Sequence, residues 1–486
     1  YYIKGNILKQ FENFCEGILI TNYFSLRLIN QSPVVLHREN IDINAEVPWD
    51  PTLGNYFDKV IQERSDNENH FAIINISEIV DKIVRWKAVL PRVQPFYAVK
   101  CNDDPAILSV MASGGVNFDC ASKNEIMSVL NVANCNRIVY ANPCKQISHI
   151  KYAKENGVTK TMFDNKNELY KIKKHYSEAD LFIRFCPPKT DKVMLPLGLK
   201  FGCSMSEVEE LLQCAIDLNL NVVGISFHVG SGCWDLDAFP LAIQQARKIF
   251  DIAQSIGCKI EYLDIGGGYP GTDDGIVSFG QVSQGINEFL DKYFPVNMNI
   301  KIIAEPGRYF VTTCLTAFSN IIGKRTIFRT NDVTDDLIVD IAGCNKSDKS
   351  FMYYLNDGVY GLFNAVLTEN SVPKFYACKS IDGKESELFD CSIWGPTCDC
   401  LDCLNKQCKM IECNIGDKVM CPNMGAYSTS IACTFNGMEI PEIMYCMKDD
   451  SRNYNTYPLQ HFTNVKTQTK VRLDGSGSES EHYFEY

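Results

Sequence analysis

Eight short apolar runs, each ending on polar or small residues, constrain the fold of this chain more than any other feature. They are Pro95–Lys100, Val116–Ser122, Arg137–Asn142, Thr161–Asp164, Asp180–Arg184, Val222–His228, Tyr262–Gly268 and Lys301–Glu305. Most are continuously apolar, as strands covered on both faces are. Stretches of helical period fill the gaps. In one of them, Ser122 to Leu130, Ser122 stands three residues before Glu125 and reads as a capping box. Eight strands alternating with helices over roughly 250 residues make a (β/α)8 TIM barrel, whose active site lies at the C-terminal strand ends. Lys100, Asp119, Arg184, His228, the triplet Gly266–Gly268 and Glu305 are therefore expected at one common mouth.

The barrel takes about half of the 486 residues, and a 45% hydrophobic content allows a second core. Beyond it, short strand-like runs at Met352–Leu355, Ser392–Trp394, Lys418–Met420 and Glu442–Tyr445 alternate with Gly, Asn and Asp turns. That pattern predicts a C-terminal antiparallel β-barrel or sandwich domain. The expected division of this α/β chain is residues 1–66 as an N-terminal segment joining the β domain in part, 67–313 as the barrel, and 314–447 as the β domain. Residues 448–486 are expected to be a polar, disordered tail, and 329–350 a polar excursion.

A net charge of -12 without a basic cluster excludes nucleic acid and anionic membrane as expected partners and suits a small cationic substrate. No apolar run reaches the roughly 18 residues that span a bilayer. The 22 cysteines are scattered along a barrel that needs no disulfide, so reduced thiols and a cytoplasmic location are expected. Cys398, Cys400 and Cys403 crowd together with no histidine nearby, unlike the separated ligand pairs of structural zinc, and no metal is expected.

The polar residues at the strand ends suggest a chemistry. A desolvated lysine such as Lys100 can have its pKa lowered enough to form an imine. Glycines after a strand let backbone N–H groups approach a phosphate. Ala304-Glu305-Pro306-Gly307-Arg308 adds a carboxylate and an arginine at the eighth strand, and barrels often bind phosphate beside their last two strands. Lysine, phosphate site, carboxylate and histidine together point to pyridoxal 5'-phosphate. Lys100 would hold its aldehyde, Glu305 its ring nitrogen, His228 one ring face and Ser231 its phosphate.

The motifs PFYAVKCN, FDCASKNEI, FHVGSGC, DIGGGYPG, AEPGRYF, YLNDGVYGLFN, WGPTCDCLD and NMGAYSTSIACTFNGM run in order from about residue 50 to 447. Together they resemble the eukaryotic ornithine decarboxylase family, whose members are barrel-plus-β-domain enzymes similar to alanine racemase. The resemblance implies decarboxylation of L-ornithine to putrescine, with Lys100 as the imine-forming lysine and Asp119, Glu125 and Arg184 around it. It assigns phosphate binding to Gly268, Gly307, Arg308, Ser231 and Tyr427. It also implies a homodimer with shared sites, in which Cys398 of one subunit protonates the product carbon in the other. Asp399 would receive the distal ammonium, and Lys200 and Asp402 would pair across the interface. Residues 142–171 resemble the family's antizyme-binding element. One departure stands out: where the family commonly has tyrosine and aspartate, this chain has Thr368 and Glu369, which changes the wall and the arm length of the distal-amine pocket. Two other readings stay open, a decarboxylase of a related basic amino acid such as lysine, and a non-catalytic regulator of the antizyme-inhibitor type.

Overall fold

In the computed structural model of the chain, residues 51–195, 200–328, 349–378, 387–449 and 451–463 are described. In chain order the strands are β1 Phe71–Asn75, β2 Val93–Ala98, β3 Asn117–Cys120, β4 Ile138–Tyr140, β5 Lys160–Phe163 and β6 Asp180–Arg184. There follow β7 Val193–Leu195, β8 Asn221–Ser226, β9 Ser231–Cys233, β10 Tyr262–Asp264 and β11 Lys301–Ala304. The second half holds β12 Leu315–Phe328, β13 Lys349–Leu355, β14 Tyr376–Ala377, β15 Leu388–Trp394, β16 Cys403–Ile411, β17 Lys418–Cys421, β18 Glu442–Lys448 and β19 Tyr454–Tyr457.

The eight expected runs form a closed parallel barrel in the order β2-β3-β4-β5-β6-β8-β10-β11, with β11 pairing back to β2. Its interior is packed by Phe96, Val139, Met162, Phe182, Val223 and Ile303, one from each of six strands. The lumen is therefore a solid core, and chemistry is confined to the mouth. The helix Lys123–Leu130 begins at Ser122, whose hydroxyl accepts from Glu125 N. Glu125 completes only half of the expected capping box, because its carboxylate accepts from Ala121 N at 2.6 Å, one residue before the cap.

The β domain is a nine-stranded sheet in which β1 lies between β12, antiparallel, and β18, parallel. The domain is thus mostly but not wholly antiparallel, since β13 also pairs parallel with β15. The barrel domain does not begin at residue 67 as expected: every residue of β1 is buried, and the strand belongs to this sheet before the chain enters the barrel. The helix Pro51–Glu63 packs on the β domain. Its Leu53, Tyr56, Phe57 and Val60 pack against Phe71, Phe318 and Tyr454, and the Phe71 and Phe318 rings stack at 4.8 Å.

The expectation of a disordered tail from residue 448 fails over its first part. β19 pairs with β18, and the helix Leu459–Thr463 buries Phe462 against Tyr445. Tyr454 and Phe462 supply the apolar surface that a reading based on overall polarity missed. The polar excursion at 329–348 and the tail from 464 lie outside the described residues. Among the described residues no helix is long and apolar enough to cross a membrane.

Candidate active site

Lys100 follows the C-terminal end of β2 in a single turn of 3-10 helix, Val99–Cys101. Its Nζ donates to Asp119 Oδ2 at 2.5 Å, across from the neighbouring strand β3. The lysine is 41% exposed to the open mouth, whereas Asp119 is 1% exposed. Burial alone would lower the ammonium, but the charges of Asp119, Tyr427 and Glu305 outweigh it and hold Lys100 above the ordinary lysine range. The expectation of a lysine depressed by desolvation is therefore corrected. In this structure Lys100 is a stabilised ammonium, and its partner is what sets its state.

Two buried carboxyls close the floor. Asp264, at the end of β10, accepts from Gly266 N at 2.9 Å and from Ser226 Oγ at 3.1 Å. It also shares a side-chain hydrogen bond with Glu305. Burial pushes Asp264 up to about 6, and burial with the charge of Asp264 raises Glu305 well above the carboxylate range. Each carboxyl disfavours the second charge of the other. Strand pairing between β10 and β11 creates this contact, and the sequence signal that could have found Asp264 is its position at the strand end two residues before the glycine triplet.

His228 sits above these groups with Nδ1 accepting from Gly230 N at 3.0 Å. Burial, then the charges of Arg184 and Lys100, push its pKa well below the ordinary value, so the imidazole is neutral. Arg184 ends β6, is buried, and lies 5.6 Å from the centre of the Phe201 ring. Glu125 is tied back to Ala121 N, and burial raises its pKa.

The glycine triplet turns as expected. Gly266 has φ +64, and a Cβ there would lie 2.0 Å from Phe227 O; Gly268 has φ +121, and its Cβ would lie 2.6 Å from Gly230 O. No other residue type fits either backbone. Gly268 O accepts from Cys233 N at 3.1 Å, which links the turn to β9 and Ser231. From the eighth strand, Arg308 Nη2 reaches Ser231 Oγ at 3.4 Å. Gly307, just before it, packs against Cys101. Tyr427 arrives from the β domain in a left-handed backbone conformation, φ +52, with its N–H on Cys101 O at 2.9 Å. Arg308 lies 5.2 Å over its ring. Gly268, Ser231, Gly307, Arg308 and Tyr427 thus meet beside Lys100 on the β10–β11 side of the mouth.

The residues expected to meet a distal amine are placed differently. Glu369 is buried, with Oε1 2.6 Å from Arg308 Nη2, while Thr368 is exposed and donates to Asn364 O at 3.2 Å. Cys398 and Asp399 lie in the loop between β15 and β16, where Cys398 is exposed. Asp399 accepts from Leu401 N at 3.0 Å and from the Tyr360 hydroxyl. These bonds, the Leu401 one first, hold its carboxyl below the ordinary range. Cys398 N donates to Asn436 Oδ1 at 3.4 Å. The partners of Cys398 and Asp399 are thus all in the β domain, and the chain does not bring this pair to Lys100 through any of these bonds. Asp402 is buried and accepts from Val359 N, Thr397 N and Thr397 Oγ1 at 2.8, 2.9 and 2.6 Å, whereas Lys200 is exposed. Among the described residues no cluster of His, Cys, Asp and Glu could hold a metal ion.

The site has atoms that fit a bound group. Asp119 Oδ1, Glu305 Oε1, Arg308 Nε and Glu369 Oε2 are all buried without a hydrogen-bond partner. One acceptor near the lysine, one carboxyl in the floor and one guanidinium donor beside a glycine turn match the ring and phosphate of pyridoxal phosphate.

Comparisons with known proteins agree. A family model described as pyridoxal-dependent decarboxylase, pyridoxal binding domain, matches residues 76–312. The chain is 43% identical to ornithine decarboxylase of Mus musculus over 82% of its own length and 85% of the mouse protein. It is 41% identical to antizyme inhibitor 2 of Xenopus laevis over 80% of this chain and 84% of that one. The arginine decarboxylase of Paramecium bursaria Chlorella virus, solved bound to agmatine, matches with a TM-score of 0.73 at 32% identity, covering 80% of this chain and 99% of that one. The cofactor that the mouth of this barrel accommodates is accordingly pyridoxal 5'-phosphate, and the chain belongs to the eukaryotic ornithine decarboxylase family of pyridoxal-dependent decarboxylases.

Proposed function

We propose that this chain converts L-ornithine to putrescine and carbon dioxide, a step of polyamine biosynthesis. The observation that carries the reading is the intact mouth, in which Lys100 is paired with Asp119 at 2.5 Å and Glu305 and Arg308 each keep an unused buried polar atom. Lys100 would hold the cofactor's aldehyde carbon, with Asp119 orienting the ammonium. Glu305, backed by Asp264, would hold the ring nitrogen, and neutral His228 would cover a ring face without adding charge. Arg184 would stand beside it, and Gly268, Ser231, Gly307, Arg308 and Tyr427 would hold the phosphate. When bound, the cofactor supplies a sink for the electron pair left by the departing carboxylate. The remaining work is positioning and proton delivery by the chain.

Asp399, held ionised by Leu401 N and Tyr360, suits a distal ammonium, and so does Glu369. Cys398 carries an exposed thiol in the same loop as Asp399. In this reading a second copy of the chain brings that loop to the mouth, where Cys398 Sγ gives a proton to the substrate carbon. A cytoplasmic homodimer follows, with Lys200 at its interface. Asp402 would act there by fixing the loop, given its three bonds within its own chain.

A second reading, a regulator that binds antizyme, has one observation in its favour: Arg308, the phosphate arginine, is already paired with Glu369. The 41% identity to an antizyme inhibitor points the same way. In the 142–171 segment, Lys151 and Lys154 are exposed and suit an acidic partner surface. Lys145 does not, being buried against Glu168 at 2.9 Å.

The deciding experiment incubates purified protein and cofactor with equal L-ornithine, L-lysine and L-arginine and identifies the amines by mass spectrometry. Dominant putrescine is expected, and the Lys100→Ala variant should yield none and lose the near-visible absorbance of the bound cofactor. Dominant cadaverine or agmatine would replace the substrate, and a wild-type protein that makes no amine would favour the regulator.

A further inference from the structure

Arg308 and Glu369 stand between the two ends of the proposed substrate complex. Arg308 Nη2 donates to Glu369 Oε1 at 2.6 Å and to Ser231 Oγ at 3.4 Å. The side chains are 16% and 3% exposed, so water screens the pair weakly. Each partner also has a second polar atom, Arg308 Nε and Glu369 Oε2, that is buried and unpartnered. One guanidinium thus has capacity left for an anion, and one carboxylate has capacity left for a cation.

We propose that this ion pair couples the two subsites, so that a phosphate-bearing cofactor and a short diamine each strengthen the other's binding. The inference rests on the reading of Arg308 as a phosphate residue and Glu369 as a distal-amine residue, and adds a linkage between them. A phosphate drawn to Arg308 arrives beside the Glu369 carboxylate, and the two negative charges compete for one guanidinium. A diamine ammonium on Glu369 Oε2 neutralises that carboxylate and leaves Arg308 to the phosphate. Conversely, a phosphate on Arg308 leaves Glu369 in need of a cation. The exchange occurs among partly buried charges, where pairing carries most weight. Thermodynamic linkage requires the two effects to be equal. The glutamate arm matters here because the residue reaches Arg308 directly, which Thr368, exposed and bonded to its own helix, does not.

The test uses the full-length protein without cofactor and pyridoxine 5'-phosphate as the probe, whose alcohol cannot form an imine with an amine. Titration calorimetry measures its Kd with and without saturating putrescine. In the wild type the diamine should tighten the probe about tenfold, within the usual range for coupled sites, and the probe should tighten the diamine by the same factor. In Glu369→Gln the probe should bind as tightly without diamine as it does to the wild type with it, and the coupling should vanish. Equal probe affinity with and without diamine in the wild type would overturn the linkage while leaving the cofactor site standing, as would coupling that persists in Glu369→Gln. A probe that fails to bind at all would overturn the phosphate reading and the linkage with it.

Discussion

Asp264 and Glu305 show what a single residue's neighbours can impose. A carboxyl whose folded-state pKa lies above its unfolded value keeps a proton that the unfolded chain has released, so stability falls as pH rises between the two values. For Asp264 that window runs from 3.8 to about 6, and the raised value of Glu305 extends the same trend upward. Urea melts of the cofactor-free protein should therefore show stability declining with pH across this window, and Asp264→Asn should flatten the slope. A slope untouched by that substitution would mean the carboxyl pair does not dominate. Lys100 has the same sense in a higher window, because an ammonium raised in the folded state contributes stability that is present below the lysine range and lost only as pH rises above it. The strand-end residues Lys100, Asp119, His228 and Glu305 were legible because polar groups stand out against apolar runs. Asp264 as the neighbour of Glu305, and Glu369 as the neighbour of Arg308, were not, because each contact joins elements that only the closed fold brings together.

Among the elements, the loop between β15 and β16 depends on one carboxylate. Asp402 accepts from Thr397 on its own loop and from Val359 N on the segment after β13, and Cβ atoms at Gly358 or Gly395 would lie 2.4 and 2.1 Å from its Oδ1. Asp402→Ala strands one buried and two half-buried donors, each costing of order 1 kcal/mol. Chemical denaturation should show a loss of about 3 kcal/mol, together with weakened activity if the loop carries Cys398 and Asp399 to the site. A loss below about 1 kcal/mol would mean the loop is held by other contacts. Four strands of this domain, β13, β15, β17 and β18, were legible from short apolar runs and turn residues, whereas β1, β12, β14, β16 and β19 were not. Its parallel pairs, β1 with β18 and β13 with β15, were not, because sequence alternation carries no direction.

For the whole molecule, the two domains are not strung end to end. The chain begins the β-domain sheet with β1, runs through the barrel, and returns to place β12 and β18 on either side of that first strand. The lysine turn is clamped from the same side: Asn102 Nδ2 donates to Gly425 O at 2.9 Å, Ser430 Oγ to Cys101 O at 3.2 Å and Tyr427 N to Cys101 O at 2.9 Å. The segment 76–312, cut out and expressed alone, should therefore fail to bind pyridoxal phosphate with the affinity of the full chain, as read by absorbance titration. Equal affinity would show that the clamp is dispensable. The final described helix is fastened back on the barrel as well, through Ser109 Oγ to Phe462 O at 2.5 Å. A stretch of sequence that recurs as a recognisable unit is here only part of a machine. Gene fusion or recombination at its borders would move the lysine without the residues that hold it in place. Such a chain can be inherited whole or altered residue by residue, but its halves are poor candidates for exchange.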